Sequence, residues 1–138
     1  VMRNVINNMR ILKTNQAHQI EHQLGAYTDC NHGQGLAVIH PILYRKLCEK
    51  APVKFARFAV RVWGVCADGK TEIETAMEGI ECLAAFVKEM GLPDTFAEMG
   101  IGEDTDFRRI ADSTNIITNG CFHPLTHDDV YEILLNCR

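Results

Sequence analysis

Three histidines in one short segment constrain the fold of this chain more than any other feature. His18 and His22 are four residues apart, so on a helix they lie on one face, about 6 Å apart along the axis. On an unbroken helix, His32 would lie about 21 Å beyond His18. The intervening run YTDCN, at 27–31, has short polar side chains that compete for backbone hydrogen bonds and end helices. We therefore predict a helical hairpin that reverses at residues 28–31 and brings His32 back toward His18.

An imidazole cluster of this kind is suited to a transition metal. Neutral imidazole ligates zinc, iron, copper and nickel; a structural site uses four protein ligands, and a catalytic site leaves one position open. The segment offers histidines and no matching cysteine pair. A plain helical hairpin with polar histidines is the alternative, and the spacing of two histidines alone does not decide between them.

Composition excludes several classes of partner. A chain of 138 residues is enough for one domain, with 46% apolar and 23% charged residues. The net charge of -4 and the lack of a basic cluster argue against nucleic acid. Apolar runs such as LAVI, at 36–39, are far shorter than the ~20 residues of a membrane span, and no secretory signal is visible. We predict a soluble, cytoplasmic protein without a membrane partner.

The six cysteines indicate no metal or redox motif, because no pair has the Cys-x2-Cys spacing. Several occupy apolar helix positions, so we predict reduced, mostly buried thiols in preference to a disulfide framework. Cys30 lies in the turn of the hairpin and is the one cysteine that could approach a metal there.

Apolar spacing indicates two amphipathic helices after the hairpin. The first covers 53–65. The second begins at a capping box formed by Thr71 and Glu74, and Gly91 with Pro93 ends it. Their predicted buried positions are Phe55, Ala56, Ala59, Val62 and Trp63 in the first, and Ile73, Met77, Ile80, Leu83, Ala84 and Val87 in the second.

Two more helices are predicted toward the end of the chain. One covers 104–117, with acidic residues near its start that favour the positive end of the helix dipole, and the last begins at a cap of Thr126 and Asp129. No segment alternates with a period of two, so we predict little or no sheet and an all-α, multi-helix bundle. The face of the 104–117 helix contains Phe107, Ile110, Ala111 and Thr114, and that of the last helix Val130, Ile133 and Leu134.

The other histidines have simpler explanations. His40 precedes Pro41 in an apolar stretch and is expected to be a hydrogen-bonded core residue rather than a ligand. His123 and His127 flank a turn and a cap, and we expect both at the solvated surface. No glycine arrangement follows a strand as a dinucleotide fingerprint requires, so no cofactor-binding residue is assigned.

The whole motif AHQIEHQLGAYTDCNHGQGLA, at 17–37, resembles the signature of iron-containing alcohol dehydrogenases, closest to the butanol-dehydrogenase-like branch. Three further segments match: FARFAVRVWGV at 55–65, GLP at 91–93 and PLTHDDVYEIL at 124–134. The resemblance spans nearly the whole chain, and the histidine hairpin is its specific part.

The resemblance implies a fold, a site and a reaction. The carboxyl-terminal domain of the family is a helical bundle that contributes two of four metal ligands, and an amino-terminal Rossmann-like domain holds the nicotinamide. By position in the motif, His18 and His32 would be ligands to Fe2+ or Zn2+. His22 would be a catalytic residue between metal and nicotinamide. The implied reaction is hydride transfer between NAD or NADP and a small primary alcohol or aldehyde such as butanol or butanal, in a homodimer.

This sequence departs from the family pattern in two places. The other two ligands, an Asp-x3-His pair, belong upstream, but only seventeen residues precede His18 and they contain no such pair. Family members also carry a longer helical stretch before the histidine helix. We therefore expect 1–138 to be a single helical domain of a larger two-domain enzyme, without the nucleotide-binding domain and with a deletion or gap near 13–17. The chain alone is expected to be inactive.

Two hypotheses from other classes remain open. The chain could be a helical histidine module that binds metal or a partner without redox chemistry, or a structural helical domain whose histidines bind nothing. Dependence on a nicotinamide cofactor separates the dehydrogenase from the module, and metal content separates the module from the structural domain.

Overall fold

A computed structural model describes residues 15–116, 121 and 123–138, and these residues form helices and connecting turns with no strand among them. The predicted all-α, multi-helix bundle is confirmed. The predicted deletion near 13–17 begins in residues outside this description and stays a prediction. The helices are α1 (Gln16–Thr28), α2 (His32–Cys48), α3 (Pro52–Phe58), a π-helix (Ala59–Trp63), α4 (Glu72–Glu89), a 3-10 turn (Ala97–Met99), α5 (Phe107–Ser113) and α6 (His127–Asn136).

The predicted hairpin is confirmed, with its reversal between α1 and α2. Asp29 adopts the left-handed conformation, with a φ of 54°, and its N–H donates to the carbonyl of Gly25. The side chain of Asn31 then caps α2 by accepting the N–H of Gln34 at 3.2 Å. His32 is consequently the first residue of α2.

Helix α2 lies at the centre of the bundle, where it packs against α1, α3, α4 and α6. The main core includes Ile20 and Leu24 from α1, Ile39 and Leu43 from α2, and Ile133 from α6, each at most 2% exposed. Burying an aliphatic side chain of this size contributes roughly 1.5–3 kcal/mol relative to exposure. The hairpin that carries the histidines is therefore anchored by the main core.

The helix predicted at 53–65 changes character partway along. It begins at Pro52 as α3 and continues from Ala59 as the π-helix, which ends at Trp63 with Gly64 in the left-handed conformation. Beyond this end, the N–H of Val65 donates to the carbonyl of Ala59 at 3.2 Å. The wider π turn moves later residues around the axis, so Val62 is 61% exposed. The assignment of Val62 to the buried stripe was wrong.

The starts of α4 and α6 follow the prediction. Thr71 and Glu74 form a complete capping box at α4, and Thr126 and Asp129 form one at α6. The predicted left-handed stop after α4 is also present, since Gly91 has a φ of 71°. Side-chain caps thus set both helix starts.

The helix predicted at 104–117 is shorter than expected. α5 begins only after Asp106, whose carboxylate accepts the N–H of Arg109 at 2.9 Å, and it ends at Ser113. Thr114 follows the helix and is buried, with its hydroxyl donating to the carbonyl of Ile110 at 2.9 Å. Aspartate, serine and threonine side chains compete for backbone partners and favour helix ends, which explains the shortening. Residue 117 lies outside the described part of the chain.

The cysteines are less buried than predicted. Cys48 and Cys137 are buried, whereas Cys66 is exposed and the other three are partly exposed. Burial raises the pKa of the Cys137 thiol to about 12. Burial, with a smaller effect of the Glu49 charge, also raises the pKa of Cys48. No disulfide involves Cys30, Cys48, Cys66, Cys82 or Cys137.

Within the described residues, every helix is too short or too polar to cross a membrane.

Candidate metal centre

The hairpin brings the three predicted histidines together. His18 and His22 lie on one face of α1, and His32 faces them from the first turn of α2. The ring centroid of His32 is 5.4 Å from that of His18 and 5.2 Å from that of His22, and the two α1 rings are 6.1 Å apart. Two imidazoles on one ion, with metal–nitrogen bonds of ~2.1 Å, hold their ring centres roughly 5 Å apart. The spacing therefore suits a shared cation.

A buried carboxylate lies beneath this exposed cluster. Glu21 is 2% exposed, whereas the side chain of His32 is 50% exposed. With Nδ1 of His32 protonated, that nitrogen donates to the Glu21 carboxylate. Glu21 was not among the predicted site residues, although the sequence carried a signal for it: Glu21 occupies the i+4 position of a stripe with Ala17, Ile20 and Leu24, all of which are buried. A glutamate on an apolar stripe indicates a buried polar contact.

The tightest set of possible ligands differs from the predicted pair. Among the described residues, one group of three side chains, Glu21, His22 and His32, has ligand atoms that all lie within 4.8 Å of one another. His18 is not in this group, although its ring is near His32. Nitrogen and carboxylate donors of this kind suit Zn2+, Fe2+ and related ions. The residues present thus fit a metal in two ways, and the choice between His18 and His22 as a ligand stays open at this point.

His40 lies two turns further along α2 and has a different environment. Its Nδ1 donates to the carbonyl of Leu36 at 2.7 Å, and its ring meets Tyr44 edge-on at 5.5 Å. Burial lowers the pKa of His40, the Leu36 hydrogen bond opposes this effect, and the charge of His18 adds to it. The expected hydrogen bond is confirmed, although His40 is partly exposed and lies at the edge of the core rather than within it.

The two histidines near α6 differ from each other. His127 is exposed, as expected, and its Nε2 donates to the carbonyl of Thr114 at 3.2 Å. His123 is only partly exposed, and its backbone carbonyl accepts from Nε2 of Gln16 at 2.8 Å. The expectation of solvated surface thus holds only in part for His123, whose backbone connects this loop to the start of α1.

A cavity of about 540 Å³ opens beside the turn of the hairpin, lined by residues that include Tyr27, Cys30, Asn31 and Ile101. None of the three clustered histidines is among its described lining residues. Cys30 faces this cavity and is not in the converging ligand set, so the possible approach of Cys30 to a metal finds no support. The three clustered histidines lie on an open face and are not part of the cavity lining.

Comparison with known proteins connects this geometry to a family. The profile of the "Fe-containing alcohol dehydrogenase family, C-terminal" matches residues 7–137. The chain is 38% identical over 118 residues to "Probable NADH-dependent butanol dehydrogenase 1" of Bacillus subtilis (strain 168), covering 85% of this chain and 30% of that protein. It is 32% identical over 119 residues to "NADH-dependent butanol dehydrogenase A" of Clostridium acetobutylicum, covering 84% and 30% respectively.

A solved structure gives the same result. The crystal structure of NADH-dependent butanol dehydrogenase A from Thermotoga maritima superposes with a TM-score of 0.76 and 32% identity, covering 89% of this chain and 32% of that one. The chain thus spans about a third of the length of the relatives it matches. Its fold, its sequence and its histidine hairpin agree, and the chain belongs to the Fe-containing alcohol dehydrogenase family, in the C-terminal region of that family.

Proposed function

We propose that this chain is the helical metal-binding domain of an alcohol dehydrogenase that transfers a hydride between a nicotinamide cofactor and a small primary alcohol or aldehyde. The observation that carries the proposal is the approach of the His18 and His32 rings to 5.4 Å across the hairpin, in a chain of this family. Two relatives named NADH-dependent butanol dehydrogenases support NADH, and butanol or butanal, as the reactants. NADP is the alternative cofactor.

We assign His18 and His32 as metal ligands on this domain. The ion is Fe2+ or Zn2+, since imidazole suits both, and two further ligands come from an upstream part of the complete protein. A divalent cation at this position supplies Lewis-acid polarisation of the alcohol or aldehyde oxygen. Both imidazoles are on the exposed face of the hairpin, where a preceding domain and a substrate have access.

His22 is assigned a catalytic role in orienting the substrate or relaying a proton. Its ring is exposed, one helical turn from His18 and 5.2 Å from the ring of His32. Imidazole can donate and accept a proton, which suits the exchange of a proton with solvent when an alcohol and an aldehyde interconvert. This assignment requires that His22 is not a metal ligand.

The proposal includes the organisation of the whole protein. The helical domain follows a nucleotide-binding domain in a two-domain enzyme, which is a cytoplasmic homodimer without a nucleic acid or membrane partner. Relatives about three times as long as this chain support the two-domain arrangement.

A second candidate function is a metal-binding module without redox chemistry. The convergence of Glu21, His22 and His32 within 4.8 Å favours it, because all three possible ligands come from this chain. The two candidates differ in whether His18 or His22 is a ligand.

Metal binding by single variants of the complete gene product separates the candidates. For the dehydrogenase site, His18→Ala and His32→Ala reduce affinity for Zn2+ at least tenfold, and His22→Ala leaves it near that of the parent. For the module, His22→Ala and His32→Ala have the large effects, and His18→Ala has little. His127→Ala, an exposed histidine on α6, is the matched control. Competition with a chromophoric chelator measures the affinities.

Activity supplies the second test. In the complete gene product, His22→Ala is expected to keep its metal but to lose about 10²–10⁴-fold in kcat for alcohol-dependent reduction of NAD, the usual contribution of a proton-transfer group. Metal binding that persists in a complete gene product without nicotinamide binding or alcohol-dependent reduction would overturn the dehydrogenase proposal.

A further inference from the structure

We propose that Glu21 is a positioning residue that fixes the imidazole of His32 for metal binding. The inference rests on the proposed metal centre and adds a residue to it. It comes from three features of the pair: the burial of the carboxylate, the close backbone around it and the ring nitrogen that it contacts.

The carboxylate of Glu21 lies between α1 and α2, with 3% of its side chain exposed. Burying an ionised carboxylate is unfavourable unless hydrogen bonds replace its water. Nδ1 of His32 contacts this carboxylate, and because an ionised carboxylate only accepts hydrogen bonds, the contact requires a proton on Nδ1. The buried end of the pair therefore favours one orientation of the half-exposed ring of His32.

Two glycines leave room for this side chain and confine it. A Cβ at Gly35 of α2 would lie 2.9 Å from Cγ and 3.2 Å from Oε1 of Glu21. A Cβ at Gly25 of α1 would lie 3.5 Å from the same Oε1. Both helices thus approach Glu21 with bare backbone, and the carboxylate has little freedom to move away from His32.

The contacted nitrogen determines how His32 can act. An imidazole that donates from Nδ1 to a carboxylate is held in one tautomer, with its lone pair on Nε2. Carboxylate–histidine–metal arrangements of this kind orient the ring and increase the basicity of the ligating nitrogen. Glu21 would therefore present Nε2 of His32 to the ion, at a ring centre 5.4 Å from that of His18.

Glu21 could alternatively ligate the ion itself, because its oxygen belongs to the converging set with His22 and His32. Its burial beneath the exposed rings and its contact with Nδ1 favour the positioning role. The two roles predict losses of different size when the carboxylate is changed.

The experiment uses the complete gene product with Zn2+ as the probe. In Glu21→Met the side chain stays unbranched but has only a weak acceptor, and Glu21→Gln keeps a carbonyl acceptor without the charge. We expect Glu21→Met to lose 10–100-fold in Zn2+ affinity, the usual effect of removing the partner of a ligating histidine, and Glu21→Gln to lose less. Glu81→Gln, at an exposed carboxylate that pairs with Arg45, is the matched control and should not change affinity. His32→Ala gives the loss expected of a ligand.

A readout without metal tests the positioning role directly. Nitrogen NMR of the metal-free protein should show the imidazole of His32 as the Nδ1-protonated tautomer in the parent and as a mixture of tautomers in Glu21→Met. The ring of His127, exposed on α6 and outside the histidine cluster, is an internal reference and should not change. Glu21→Gln keeps a carbonyl acceptor for Nδ1 and should therefore show mostly the parent tautomer of His32. If Glu21 acted only through its charge, Glu21→Gln would instead show the same mixture of tautomers as Glu21→Met.

Each outcome decides the matter. Parent-like affinity and an unchanged His32 tautomer in Glu21→Met would overturn this inference alone. A loss in Glu21→Gln as large as that in His32→Ala would make Glu21 a ligand and would also overturn it. Absence of Zn2+ binding by the parent would overturn the proposed function and, with it, the inference.

Discussion

Gly35 of α2 lies directly against the side chain of Glu21 of α1, so closely that a Cβ at Gly35 would come within 2.9 Å of Glu21 Cγ. Gly35→Ala should therefore displace the carboxylate from His32 and overpack the contact between the helices. We expect a loss of about 1–3 kcal/mol in the free energy of unfolding, together with weaker Zn2+ binding. Urea denaturation and metal competition measure the two effects.

Gly33→Ala is the matched control, because it makes the same change two residues earlier in α2. A Cβ at Gly33 would meet Oδ1 of Asn31 at 3.4 Å, and the residue is exposed. The substitution should be neutral or slightly stabilising, since alanine is favoured over glycine in a helix by roughly 1 kcal/mol. Equal stability and metal affinity of the two variants would contradict the packing argument for Gly35.

A second close approach determines where α4 meets the π-helix. A Cβ at Gly79 would lie 2.3 Å from Cβ and 2.6 Å from Cα of Ala59. Because part of this obstruction is backbone, Gly79→Ala should cost at least about 1–3 kcal/mol in the free energy of unfolding. Thermal or urea denaturation gives the value.

The double variant Gly79→Ala/Ala59→Gly tests the cause. Removing Cβ of Ala59 relieves the closest contact but not the one to its Cα, so the double variant should recover part of the loss, with a coupling of about 0.5–3 kcal/mol. Strict additivity of the two changes would show that the destabilisation arises elsewhere.

The parts of the fold that were predicted from the sequence have local causes. The reversal of the hairpin follows from two residues: Asp29 adopts the left-handed conformation that ends α1, and the side chain of Asn31 caps the start of α2. Because the connection is short, it also fixes the approach of His32 to His18. The capping boxes of α4 and α6 were predictable for the same reason, because each is formed by two residues that are three apart in the sequence.

The features that were missed depend on contacts between distant residues. The π-helix begins at Ala59, where Gly79 approaches from α4, twenty residues later in the chain. The apolar periodicity within 53–65 cannot predict that contact, because Gly79 lies outside this segment. Glu21 was missed for a different reason: its charge suggested a surface position, although its place on the α1 stripe indicated the interior.

The cap of α6 makes the stability of the fold depend on pH in the acidic range. Desolvation opposes ionisation of Asp129, but hydrogen bonds from the backbone and hydroxyl of Thr126 and the ammonium of Lys46 lower its pKa to about 2, from 3.8. A depressed carboxyl pKa contributes stability above the unfolded pKa and loses it as the pH falls through the folded one. Asp129→Asn should cost about 1 kcal/mol at neutral pH, and the difference from the parent should shrink between about pH 4 and pH 2.

Glu132→Gln is the control for the ion pair, because Glu132 contacts the same lysine, Lys46, from a position 64% exposed. An exposed pair of this kind contributes about 0–1 kcal/mol, so the variant should stay close to the parent at every pH. Chemical denaturation as a function of pH measures both variants. A constant difference between Asp129→Asn and the parent over the acidic range would contradict the assigned titration.

Burial should divide the thiols into reactive and protected groups. Cys66 is exposed, whereas Cys137 is 1% exposed and burial raises its pKa to about 12. The thiolate is the reactive species, so native Cys137 should be alkylated at least ~100-fold more slowly than Cys66 near pH 8. Iodoacetamide labelling with peptide mass mapping measures the rates, and labelling in denaturant should remove the difference. Similar native rates would contradict the placement of Cys137 in the core.

The 138-residue chain by itself should show no appreciable alcohol-dependent reduction of NAD or NADP. The proposed site takes two of its ligands, His18 and His32, from this chain and two from elsewhere, and the chain spans about a third of its relatives. An incomplete ligand set binds a catalytic metal weakly, and hydride transfer also needs a bound nicotinamide held against the substrate. The absorbance of the reduced nicotinamide, followed with butanol as substrate, measures this, with the complete gene product as the positive control. Robust turnover by a preparation whose intact mass equals 15.5 kDa would contradict the proposal that the site is completed by another part of the protein.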